Sequence, residues 1–108
     1  MIEPPDTYSS ARRVVVLSSG AAAELAEAVA WYEAQSPGLG IELLGAVDAV
    51  RSLIQRHSDA GKLVRPRIRR ALLKRFPYGV FYTEFPDRIQ VIAIIHSRKH
   101  PARWPRRA

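Results

Sequence analysis

The sequence contains no cysteine. That excludes disulfides, thiolate metal sites and cysteine nucleophiles. No apolar run approaches the ~20 residues of a membrane-spanning helix. The first residues, Met-Ile-Glu-Pro-Pro-Asp, carry neither a basic start nor an apolar stretch, which speaks against a signal peptide. Glycine-rich phosphate loops are absent too: Gly38 and Gly40 sit between two helix-like segments, not between a strand and a helix. Acid is scarce in the second half. Residues 59–108 hold 3 Asp/Glu against 13 Lys/Arg, whereas residues 1–58 hold 7 against 4. Paired carboxylates for hydrolysis are therefore not available there, and the serines have no nucleophile-elbow context.

What is present is one domain's worth of chain, 108 residues, with 47% hydrophobic and 25% charged residues. This composition is that of an ordinary globular protein, and the expected location is the cytoplasm. The net charge is +7, and 14 of the 17 basic residues are arginine. Arginine favours planar, bidentate contacts with phosphate or carboxylate, so the charge reads either as a basic surface kept for solubility or as the mark of an anionic partner, nucleic acid or an acidic protein segment.

Residues 1–11 read as a flexible arm, and the domain as 12–105 with a basic tail at 106–108. Val14, Val15 and Val16 are β-branched and predict a buried strand, after which Ser18 and Ser19 offer an N-cap. Ala21, Leu25, Ala28 and Tyr32 share one stripe of a helix over 21–35. Ser36-Pro37-Gly38-Leu39-Gly40 breaks it. A second helix over about 41–57 repeats Leu43, Val47, Val50 and Ile54, and the short break predicts an antiparallel hairpin. Residues 58–66, with Gly61 and Pro66, read as a loop. Three strands follow. Ile68–Phe76 is arginine-rich and is expected near a sheet edge. Tyr78–Phe85 places Tyr78, Val80 and Tyr82 on one face and Phe81, Thr83 and Phe85 on the other. Ile89–His96 is almost all apolar, as suits a central strand. The expected fold is α+β in the order β-α-α-β-β-β: a helical hairpin on a four-stranded, mainly antiparallel sheet with the first strand beside the last.

His57, His96 and His100 lack nearby carboxylates, so neither metal nor other cofactor is expected. The chemistry-bearing set is cationic and aromatic: Arg69, Arg70, Lys74, Arg75, Tyr78, Tyr82, His96, Arg98, Lys99, His100, Arg103 and Trp104. Such groups serve nucleic-acid binding through phosphate contacts and stacking, metal-free RNA cleavage with His or Tyr moving protons, or the grip on an acidic peptide.

Four segments carry a family pattern: residues 23–33 (Ala-Glu-Leu-Ala-Glu-Ala-Val-Ala-Trp-Tyr-Glu), the 36–40 turn, residues 70–82 (Arg-Ala-Leu-Leu-Lys-Arg-Phe-Pro-Tyr-Gly-Val-Phe-Tyr) and residues 92–104, which run from Ile-Ala-Ile-Ile-His-Ser-Arg-Lys-His-Pro to Trp104. In this order they resemble the RelE/ParE superfamily of toxins from type II toxin–antitoxin systems, most closely its ParE branch. The resemblance implies a cytoplasmic toxin that inhibits growth and is held inactive by a cognate antitoxin. ParE-like members poison DNA gyrase; RelE-like members cleave messenger RNA in the ribosome. Gly79 stands where the ribonuclease branch typically has arginine after the tyrosine, and Trp104, whose indole is no acid or base, stands where that branch commonly has a C-terminal Tyr or His.

The expected target-binding residues are accordingly Lys74, Tyr78, His96, Arg98, Lys99 and Trp104. In the ribonuclease alternative Lys74, His96, Arg98 and His100 would be catalytic. The antitoxin is expected to bind Trp31, Leu44 and Leu53, the apolar residues that widen the helical faces, with Arg69 and Arg70 offering charge. No membrane partner is expected.

Overall fold

The computed structural model describes residues 13–98, and the 1–11 arm and the 106–108 tail lie outside them. The elements are β1 (Val14–Leu17), α1 (Ser19–Gln35), α2 (Leu39–Arg56), β2 (Lys62–Arg65), β3 (Ile68–Leu72), β4 (Tyr78–Glu84) and β5 (Arg88–His96). The fold is α+β, with the helical hairpin packed on one face of the sheet. Strand order is β1-β5-β4-β3-β2. β1 runs parallel to β5, and the other pairs are antiparallel.

The sheet therefore has five strands rather than four. The additional strand, β2, lies in the segment read as a loop. Four residues are too few to reveal an alternation, and flanking Gly61 and Pro66 imitate a loop. β2 turns into β3 through Pro66 and Arg67, and Val64 has no partner across the ladder. One consequence corrects a second expectation: β3 is paired on both sides, so Arg69 and Arg70 do not lie on an edge. β3 also ends at Leu72 rather than Phe76.

Ser18 caps α1, its Oγ accepting from the Ala21 amide at 3.1 Å. The break after α1 is tighter than expected, because α2 begins at Leu39 and takes Gly40 into its first turn. Gly38 adopts the left-handed conformation at φ 92°, which glycine permits at little cost. The carboxylate of Glu33 supplies the missing cap, accepting from the Gly38 amide at 2.8 Å and the Gly40 amide at 2.9 Å. A Cβ on Gly40 would lie 2.9 Å from the Val29 carbonyl oxygen. Gly40 is thus a contact residue between the helices, not a helix breaker.

The main core lies between hairpin and sheet. Leu43, Val47 and Ile54 of α2 meet Val80 and Tyr82 of β4 and Ile89, Val91 and Ile94 of β5. Truncating one such side chain typically costs about 2–5 kcal/mol. Ile68, Phe81, Ala93 and Ile95 form a second buried cluster. The predicted alternation of β4 therefore holds at Val80, Phe81 and Tyr82. β5 changes phase midway: Phe81 pairs with Ala93 but Tyr82 with Val91, leaving Ile92 as an extra residue. That bulge is what directs both Val91 and Ile94 to the helix side.

Candidate functional site

The predicted target-binding residues gather where β4 begins and β5 ends. Tyr78 and His96 are cross-strand partners. Their ring centroids lie 5.2 Å apart with planes at 67°. Beyond them the chain is held by Ser97, whose amide and hydroxyl donate to the Pro77 carbonyl at 2.7 and 3.1 Å. The Arg98 amide donates to His96 Nδ1 at 3.1 Å. This nitrogen is then a lone-pair acceptor, so the neutral imidazole carries its proton on Nε2. Arg98 is exposed, as is Lys74 in the loop joining β3 to β4.

Tyr78 also faces α1. Its ring lies 6.1 Å from that of Tyr32, which in turn contacts Phe76 at 5.1 Å and Trp31 at 4.9 Å. Burial pushes the Tyr78 phenol up from its ordinary pKa, and the neighbouring Tyr32 and Glu27 push it the same way. At neutral pH it is a protonated hydrogen-bond donor, not a base. Behind it, Gly79 is buried, and a Cβ there would come within 3.1 Å of the Arg70 side-chain carbons. The glycine makes room for the Arg70 stem.

The structure thus brings Tyr78 and His96 together and sets Arg98 and Lys74 on the segments next to them. Lys99, His100 and Trp104 fall outside the described residues. Arg75, which the sequence places only in the general cationic set, fixes the β3–β4 loop. It has a φ of 70° and its guanidinium pairs with Glu42 of α2. No local signal connects residues so far apart in sequence. Among the described residues, no group of three His, Asp or Glu stands close enough to hold a metal ion.

The residues expected to meet the antitoxin do not form one patch. Trp31 is 51% exposed, Leu44 39% and Leu53 38%. At ~100° per residue, however, Leu44 and Leu53 lie on opposite flanks of the buried Leu43–Ile54 stripe. Ile41, 72% exposed, was not singled out by periodicity because it falls far from that stripe. Arg69 is committed within the fold: it donates to the Gly61 carbonyl at 2.8 Å and lies 3.8 Å from Glu84.

A polar cluster closes the opposite end of the sheet. Tyr82 donates to the Ser58 carbonyl at 2.6 Å and accepts from the buried Gly61 amide at 2.9 Å. Arg13 reaches Glu84 at 3.0 Å and the Phe85 carbonyl at 2.9 Å. Burial alone would raise the pKa of Glu84. Hydrogen bonds from Ser58 and Arg13, with the positive charge of Arg13 and Arg69, outweigh it and hold the carboxyl below its ordinary value. Beside this cluster, a cavity of about 640 Å³ opens between β2 and the end of β4.

No helix among the described residues is long and apolar enough to cross a membrane. No curated protein matches the sequence. A solved structure described as the chromosomal ParDE TA system from P. aeruginosa has the same fold, with a TM-score of 0.70 at 19% identity, covering 80% of this chain and 97% of that one. The family model for the ParE toxin of the type II toxin–antitoxin system parDE matches residues 15–101. That span runs from β1 through the Tyr78–His96 sheet end, and the chain belongs to the ParE toxin family of type II toxin–antitoxin systems.

Proposed function

We propose that this toxin inhibits DNA gyrase by binding it, without catalysis of its own, and that a cognate antitoxin neutralises it in the cytoplasm. The observation that carries the reading is the state of the sheet end. Its Tyr78 phenol stays protonated, its His96 Nδ1 is occupied by a backbone amide, and a glycine follows the tyrosine. These groups build a cationic, aromatic contact surface with Lys74 and Arg98. The ParDE neighbour supports a protein antitoxin, for which exposed Trp31 is the anchor on the helical hairpin. Purified toxin freed of antitoxin should stop supercoiling by gyrase; full supercoiling at excess toxin rejects the assignment.

The alternative is a ribosome-dependent endoribonuclease. What favours it is the placing of a histidine against a tyrosine beside Lys74 and Arg98, the residue types that metal-free RNA cleavage employs. Cleavage of ribosome-bound messenger by the wild-type toxin, abolished in His96→Gln, would establish it.

A further inference from the structure

The helical hairpin covers one face of the sheet. Side chains alternate between faces along a strand, so Ile68, Phe81, Ala93 and Ile95 point to the other face, where they form the second buried cluster. Phe81 pairs with Ala93, and Ile95 with Gly79. No residue of α1 or α2 belongs to this cluster. Among the described residues no other element is left to cover it. Sheets of this kind commonly leave such a face to water, which wets any large side chain on it. Here Ile68 is 0% exposed, Phe81 1% and Ile95 3%. The Arg70 stem crowds the space above Gly79 beside the Phe81 ring, but one side chain does not close a patch that spans β3, β4 and β5.

The rim of the same face shows where the cover enters. Val14 lies on this face, since Val15 belongs to the helix-side core, and Val14 pairs with Arg88 at the far end of β5. It is 56% exposed. A segment running from the start of β1 to Phe81 would pass over it. Ile95, by contrast, is buried although it stands one residue from the end of β5. Strand ends are the wettest part of an open face, so the cover lies over the end where the chain leaves β5.

The residues that follow have the length and the chemistry for this. Ser97 ties the exit to the Pro77 carbonyl, on the β4 side and away from β1. Residues 99–108 read Lys-His-Pro-Ala-Arg-Trp-Pro-Arg-Arg-Ala, with Trp104 their one large apolar side chain. From Arg98 to Trp104 an extended chain spans about 20 Å, whereas Phe81 lies only about 7 Å along β4 from Gly79. Pro101 and Pro105 lack amide donors, which suits a segment lying across side chains rather than pairing as a strand. A guanidinium stacks well on an indole, and Arg70 stands beside Phe81 to supply one.

We infer that residues 99–108 fold back over the helix-free face of the sheet and that Trp104 is the side chain that covers Phe81. Trp104 is then a packing residue rather than a contact with the target, and target contact falls to Lys74, Tyr78, His96 and Arg98.

The test uses the full chain carrying Trp31→Phe, which leaves Trp104 as its single indole, with a cooperative circular dichroism melt as the check on folding. The expected result is indole emission shifted to the blue of the urea-unfolded chain, slow quenching by acrylamide, and nuclear Overhauser contacts between the Trp104 indole and the Phe81 ring. The same contacts are expected in the chain that keeps Trp31. Phe81→Leu, which keeps an apolar side chain, should shift the emission to the red and speed the quenching. Trp104→Ala should lower the melting temperature by about 10 °C or more, as loss of a buried tryptophan does. Deletion of residues 1–11 should leave every reading unchanged. Three outcomes would overturn the inference: emission and quenching of a water-exposed indole, Overhauser contacts of Phe81 with Tyr8 that vanish with residues 1–11, or contacts that prove to be intermolecular in a mixture of labelled and unlabelled chains.

Discussion

Tyr78 and His96 face each other across β4 and β5, ring centroids 5.2 Å apart, and Tyr78 in turn lies 6.1 Å from Tyr32 of α1. The pair therefore fastens the end of β5 to the helical hairpin. Aromatic pairs contribute about 0.5–1.5 kcal/mol beyond their buried area. Tyr78→Leu should lower stability by about 1–2 kcal/mol in urea denaturation. A double-mutant cycle with His96→Gln should return a coupling of about 0.5–1.5 kcal/mol; additive effects would mean that the two rings merely sit near each other.

The residues of this pair were legible in the sequence, but their contact was not. Both follow from strand-like patterns, yet the register that joins them depends on the bulge at Ile92. Ile92 sits within an apolar run where every residue suits either face, so no alternation marks the extra one. Long periodic segments were readable: α1, α2 and the alternation of β4. β2 was hidden by its length, and with it the interior position of Arg69 and Arg70. Gly40 was misread because a helix–helix contact and a turn call for the same residue. Leu44 and Leu53 were rightly expected to widen α2, but widening a stripe on both sides divides the exposed surface.

Acid should act on the Glu84 cluster. The folded carboxyl titrates below its ordinary value of 4.5. The unfolded chain therefore takes up the proton first as pH falls. The stabilisation is present above the unfolded pKa and is lost as pH drops through the lower folded one. Melting temperature recorded from pH 6 to pH 3 should fall in that window for the wild type. Glu84→Gln should melt lower at pH 6 and show a shallower acid slope. Equal slopes would remove Glu84 from the account.

Tyr82→Phe removes both a donor to the Ser58 carbonyl and an acceptor for the buried Gly61 amide. Leaving such groups unpaired costs about 1–3 kcal/mol, measurable as a lower urea midpoint. Burial raises the Tyr82 phenol above its ordinary 10.0, against opposing contributions from the Gly61 hydrogen bond and Arg69. A raised folded pKa gives stability that is whole below the unfolded value and is lost as pH rises through the folded one. The wild type should accordingly weaken above about pH 10, and Tyr82→Phe less steeply.

Trp31→Ala should weaken the antitoxin complex at least tenfold in calorimetry, as expected for an aromatic interface anchor. Leu44→Ala and Leu53→Ala should differ from one another, since they lie on opposite flanks of α2. Arg69→Ala with Arg70→Ala should cost at most a small, salt-sensitive part of the affinity, because Arg69 is already committed to the Gly61 carbonyl and Glu84, with the variant's folding confirmed first by its urea midpoint. Unchanged affinity in all of them would place the antitoxin elsewhere on the toxin.

The most direct test of the central claim is a gyrase supercoiling assay run in parallel with cell-free translation, using wild-type toxin and His96→Gln freed of antitoxin. Inhibition by contact rather than proton transfer predicts that wild type stops supercoiling and leaves translation intact. It also predicts that His96→Gln, which keeps a polar side chain but cannot exchange protons, retains inhibition to within about threefold. Full supercoiling with translation blocked by the wild type and restored by His96→Gln would contradict the account.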